Sequence, residues 1–77
     1  MTLPLLSIVR LTTDRHRARG VTLGAIGVIV EVYDDRAYEV EFSDPTTGET
    51  IAMFALPQSE VELVQEPEHA RLSRTGD

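Results

Sequence analysis

The chain has no cysteine, no lysine and no tryptophan, and its aromatic set is two tyrosines and two phenylalanines among 77 residues. Without cysteine there are no disulfide staples, no Cys-type zinc sites and no thiol chemistry, a composition that fits a reducing cytoplasm. The apolar runs fall far short of the ~18 residues a membrane helix needs. Met1-Thr2-Leu3-Pro4-Leu5-Leu6 has neither a basic n-region nor a long apolar stretch, so it is not read as a secretory signal. His16 and His69 are the only histidines, with no Ser, Asp or Glu arrangement around them that would license a triad or a metal centre. No catalytic, metal or cofactor residue is therefore assigned, and the expectation is a soluble, cytoplasmic, non-enzymatic protein.

What is present reads as one small all-β domain. A chain of this length buries only about 60% of its unfolded surface, so its core is thin. Such a core is too small to wall off a pocket of the usual ~300 Å³ or more. Leu6 to Leu11 reads as a first strand, with Pro4 fit only for its start or edge. Thr12 to Thr22 is polar and arginine-rich and is expected to be an exposed loop. In the β-branched run from Leu23 to Tyr33, Ile26, Val28, Val30 and Val32 share one face, and Ile29, Glu31 and Tyr33 the other. Gly24 and Gly27 flank the start of that strand, where glycine permits positive φ or close backbone approach.

Asp34-Asp35-Arg36 is a short hairpin connection. After it, Tyr38, Val40 and Phe42 alternate with Glu39 and Glu41, the mark of a strand with one buried face. Asp44-Pro45-Thr46-Thr47-Gly48 is a turn, and Thr50 to Phe54 is a fourth strand with Ile51 and Met53 on one face, Ala52 and Phe54 on the other. Pro57-Gln58-Ser59 breaks it as one 3₁₀ turn, and Val61 to Val64 supplies a fifth. Five short strands with a long loop after the first and a 3₁₀ break before the last describe an SH3-like barrel over residues 1–65. Residues 66–77 lack apolar periodicity and are expected to be a flexible tail.

The net charge of −6 is unevenly spread. Between Glu31 and Glu49 seven acids (Glu31, Asp34, Asp35, Glu39, Glu41, Asp44, Glu49) face one base, Arg36. Between Arg10 and Arg19 four arginines (Arg10, Arg15, Arg17, Arg19) and His16 face one acid, Asp14. An acidic surface repels phosphate backbones and attracts basic proteins. No aromatic stacking platform lies beside the arginines, so nucleic acid is not the expected partner.

Two resemblances run through these residues. Gly24, Gly27, Val28 and Ile29, then Tyr38-Glu39-Val40-Glu41-Phe42, then Gly48-Glu49-Thr50-Ile51-Ala52 resemble the pattern of an uncharacterised bacterial family of small domains of unknown function, from about Ile8 to Val64. That resemblance implies an SH3-like barrel and a gene set beside that of a nuclease-like or toxin-like partner, hence an antitoxin or immunity role. Gly24-Ala25-Ile26-Gly27-Val28-Ile29 is similar to the core of the KOW motif, which implies an RNA- or ribosome-associated module. Arg15-His16-Arg17 ahead of Gly27-Val28-Ile29 is similar to the SH3-like part of the nitrile hydratase β subunit, which implies an accessory domain of a metalloenzyme.

The expected function is a non-catalytic acidic module that binds a basic protein. The contact residues are Glu31, Asp34, Asp35, Glu39, Glu41 and Glu49, with Arg15, Arg17 and Arg19 as a secondary basic loop. Electrostatic steering would make association fall with salt. An exposed edge strand also leaves room for a homodimer; no membrane contact is expected.

Overall fold

A computed structural model describes residues 2–34 and 36–68. Five strands form one antiparallel sheet: β1 (Ile8–Leu11), β2 (Ile26–Tyr33), β3 (Ala37–Ser43), β4 (Thr50–Pro57) and β5 (Val61–Gln65), in the spatial order β4-β3-β2-β1-β5. Short 3₁₀ turns cover Arg17–Arg19 and Gln58–Glu60. The second of these joins the two edge strands, β4 and β5, through three residues. Three residues reach at most about 10 Å, so the sheet must roll until its edges meet at that corner. No strand pairing joins β4 to β5 among the described residues, so the rolled sheet is not closed by hydrogen bonds. The loop from Thr12 to Ala25 lies across the open side, with the Thr12 N–H donating to the Glu60 carbonyl.

Alternation along β3 does what its sequence requires: Tyr38, Val40 and Phe42 are buried, while Glu39 and Glu41 face out and are half-buried. They pack with Val9 and Leu11 of β1, Ile29 of β2, Phe54 and Leu56 of β4, Val61 of β5 and Val21 of the loop. On β4 the expected split holds, with Ala52 against the core, Phe54 in it, and Ile51 and Met53 exposed.

The face expected to be buried on β2 is corrected. Gly27 and Ile29 point inward, Ile26 is exposed, and Val28 and Val30 are only half-buried. The run from Ile26 to Val30 is apolar on both faces apart from Gly27, so parity alone could not decide it. What decides it is Gly27. A Cβ there would lie 2.6 Å from Val40 Cγ1 and 3.0 Å from the Glu41 carbonyl oxygen, so only a residue without one fits against β3. Beyond Ile29 a β-bulge intervenes, since Ile29 opposes Val40 but Glu31 opposes Glu39. The extra residue returns Val32 to the core side. Gly24 fills its other expected role, at φ +88°.

Boundaries move at both ends of the chain: β4 runs on past the expected Phe54 to Pro57, which pairs with Ala37, so the 3₁₀ turn falls on Gln58–Glu60 rather than Pro57–Ser59. β1 starts at Ile8, because Ser7 turns back to Pro4: its N–H and its Oγ both donate to the Pro4 carbonyl, at 3.1 and 2.7 Å. The Thr12–Thr22 loop is mostly exposed as expected, but His16 and Val21 are buried. No helix among the described residues is long and apolar enough to cross a membrane. Residues 69–77, most of the expected tail, lie outside the described residues, as does His69.

Candidate functional site

Register places the predicted acids along the outer face of the sheet. Glu31 on β2 stands directly opposite Glu39 on β3, a like-charge pairing that opposes folding. Glu41 lies two residues along β3, roughly 7 Å away on the same face, between Val28 of β2 and Met53 of β4. The Tyr33 hydroxyl donates to Glu39 Oε1 at 3.0 Å, and the Thr50 hydroxyl donates to Glu41. The hydrogen bond to Glu39, then burial and the negative charges of Glu39 and Glu31, hold the Tyr33 phenol above its ordinary range.

The structure thus brings Glu31, Glu39 and Glu41 together. It does not gather the other acids with them. Asp34 sits in the β2–β3 hairpin at φ +41°, and Glu49 lies in the β3–β4 turn, where its carbonyl accepts from the Asp44 N–H at 2.8 Å. The two turns are at opposite ends of β3. Asp35 lies outside the described residues.

The arginine loop is tied to the protein itself. Arg15 Nε and His16 Nε2 both bond the Glu60 carboxylate, the latter at 2.9 Å. Arg17 pairs with Asp14 at 3.4 Å, and the Arg19 guanidinium lies 4.4 Å from the centre of the Phe54 ring. The His16 ring is 5.0 Å from the same phenylalanine, which also packs on Phe42 at 5.7 Å. Burial pushes the Glu60 carboxyl up, but the hydrogen bonds and charges of Arg15 and His16 outweigh it and hold the group below the usual glutamate range. His16 is thus a buried structural residue. Sequence reasoning missed the Glu60–Arg15–His16–Phe54 cluster. Nothing local signals a contact between positions 44 residues apart.

Ion pairing divides the described residues into two regions. Arg10 pairs with Glu62, Arg15 with Glu60 and Arg17 with Asp14. No ion pair among the described residues reaches Glu31, Glu39, Glu41 or Glu49. Among the described residues, the outer face of β2 and β3 therefore carries carboxylates without an ion pair beside exposed Met53 and half-buried Val28. Among the described residues no group of three or more His, Cys, Asp and Glu side chains is placed to hold a metal ion.

A shallow concavity of about 240 Å³, lined by Ile8, Ile26, Val28, Glu41 and Pro45, borders this face. A surface groove of about 300 Å³ runs between the loop and the β3–β4 turn, lined by Val21, Ala25, Ile26, Phe42, Pro45 and Ile51. It reaches the size expected of a small-molecule pocket, although the interior was read as too small for one. It does so at the rim of the core, where Val21 and Phe42 meet the loop and the turn.

The family model described as "Domain of unknown function (DUF4926)" matches residues 5–63, which include every strand but the end of β5. No curated protein and no solved structure matches the chain.

Proposed function

The chain belongs to this family of domains of unknown function, and we propose that it is a non-catalytic module that binds a basic protein through the outer face of β2 and β3. The observation that carries this reading is the partition of charge: Arg10, Arg15 and Arg17 pair within the domain, and no ion pair among the described residues reaches Glu31, Glu39 or Glu41, which share one face. The rolled five-stranded sheet is read as SH3-like, with the 3₁₀ turn Gln58–Glu60 between its edge strands in support. Within this reading the domain is an immunity-type inhibitor. It occludes the basic active site of a nuclease-like partner encoded beside it, a role that rests on the family resemblance of its Tyr38–Phe42 and Gly48–Ala52 segments. An RNA-binding role through Arg15, Arg17 and Arg19 draws less support, since Glu60, Asp14 and Phe54 already engage those side chains.

An affinity pull-down with the full chain from its native cells, read by mass spectrometry, tests the reading. Recovery of one basic protein is expected; ribosomal material instead would overturn it. With that partner in hand, Glu39→Lys with Glu41→Lys slows association and flattens its salt dependence. Unchanged on-rates would rule out the acidic contact.

A further inference from the structure

The two edges of the sheet are built differently. β5 is five residues long, carries Glu62 at its second position paired with Arg10, and has an irregular register against β1. Shortness, charge and irregularity are devices that blunt an edge against adding another strand. β4 has none of them along most of its length. It is eight residues long and contains no charged side chain, and its proline comes only at the last position. Its register against β3 is regular from Ala52 to Pro57, with an irregularity only near Thr50. The Thr12–Ala25 loop covers the inner side of β4, through Arg19 and His16 on Phe54. Among the described residues no backbone hydrogen bond from that loop ends on β4. Alternate N–H and C=O groups of this strand therefore point outward without a strand partner among the described residues.

We infer that β4 is the docking edge for an extended, basic segment of the partner protein, which adds to the sheet as a sixth strand. The inference rests on the acidic-face reading and supplies its binding mode. Charge selects the occupant. One strand inward from β4, Glu39 lies opposite Ala55 and Glu41 opposite Met53. An added strand lies two strand spacings, about 10 Å, from the backbone of β3. Ala55 is too small to fill that interval. An arginine or lysine opposite it reaches over the methyl group to the Glu39 carboxylate, its stem lying on apolar surface. Beyond the start of β4, the groove lined by Val21, Ile26, Pro45 and Ile51 receives an apolar side chain of the same segment. Main-chain pairing thus provides affinity, and the groove and carboxylates provide selection. A second copy of this chain fits less well, because its own Glu39 and Glu41 would be brought toward those of the first.

The probe is a short capped peptide of alternating arginine and valine, measured against the full chain by fluorescence anisotropy and by amide hydrogen exchange. Binding is expected to slow exchange along β4. N-methylating the backbone on the pairing edge is expected to weaken binding about tenfold, the loss of one or two hydrogen bonds. Met53→Lys with Ala55→Lys, both on the exposed outer face, weakens it similarly while the far-UV spectrum stays that of the parent. The N-methylated peptide makes the same test on the unaltered chain. If neither N-methylation nor these lysines matter but Glu39→Lys with Glu41→Lys abolishes binding, strand addition is wrong and the acidic-face reading survives. If none of these changes matters, both readings fail. If the chain alone sediments as a dimer with β4 already protected, the edge belongs to a second copy and the inference is overturned.

Discussion

Gly27→Ala tests the register of β2 directly. Two effects oppose each other at this position. Its φ is not in the left-handed region, so alanine restricts the unfolded chain and by itself stabilises by roughly 0.4–1 kcal/mol. Against that, the new Cβ would lie 2.6 Å from Val40 Cγ1, and 3.0 Å from both the Glu41 carbonyl oxygen and Phe42 Cδ1. Val40 is fully buried and β-branched, so its rotamer is stiff, and the carbonyl is part of the sheet. Neither neighbour gives way cheaply, and overpacking of this kind costs about 1–3 kcal/mol. The steric effect wins, for a net loss of about 1–2 kcal/mol after the entropic gain. In a domain of this size that lowers Tm by roughly 5–15 °C, readable by circular dichroism. Adding Val40→Ala frees the space, so the double mutant is expected to lose less than the sum of the two singles. An unchanged or raised Tm for Gly27→Ala alone would place Gly27 on the outer face and return Val28 and Val30 to the core, refuting the register.

Other outcomes follow from the same contacts. Ile29→Asp unfolds the protein by burying an unpartnered charge, whereas Val30→Asp at the half-buried bulge leaves a cooperative melt; equal effects would remove the bulge. Glu60→Ala strands His16 and costs about 1.5–3 kcal/mol in urea denaturation at neutral pH. Because the folded Glu60 carboxyl titrates below its ordinary value of 4.5, its stabilisation is present above that pH and is lost as pH falls through the folded value. The alanine variant should lack that part of the acid limb, and an identical limb would contradict the cluster. For Tyr33, Glu39→Gln brings the phenol down toward its ordinary 10.0, followed by NMR titration of its ring; no change would show that Glu39 is not its acceptor. Glu31→Lys, finally, replaces a cross-strand repulsion with an attraction to Glu39 and raises stability by roughly 0.2–1 kcal/mol, while slowing association with a basic partner.

Legibility followed the chemistry of each segment. β3 was readable because its apolar and acidic residues alternate strictly, so one face had to be buried. The 3₁₀ break was readable to within a residue because Pro57 lacks an N–H to carry the ladder further; it is itself the last residue of β4, opposite Ala37, and the turn covers Gln58–Glu60. β2 misled because Ile26, Val28, Ile29 and Val30 are all apolar. Its inward face is set by the absence of a side chain at Gly27 against Val40, and by the bulge opposite Glu39, both properties of pairing and not of the strand itself. The acids Glu31, Glu39 and Glu41 were found because strand parity puts them outside. Their separation from Asp34 and Glu49 depends on which end of β3 each turn occupies, and charge density along the chain does not report it. The Glu60 cluster was invisible because it joins a loop to a turn that become neighbours only when the sheet rolls.

The same rolling explains why the net charge understates the polarity of the surface. Where β1, the loop, the second 3₁₀ turn and β5 come together, opposite charges meet and cancel: Arg10 with Glu62, Arg15 with Glu60, Arg17 with Asp14. On the hairpin of β2 and β3 Glu31 stands directly opposite Glu39, and no ion pair among the described residues reaches either. A folding requirement alone gives no reason to keep that repulsion, since a neutral or basic residue at either position would fit the same exposed register and remove it. On the proposed reading, an incoming cation would relieve that repulsion, so a basic partner would gain at the Glu31–Glu39 pair what the free protein lacks.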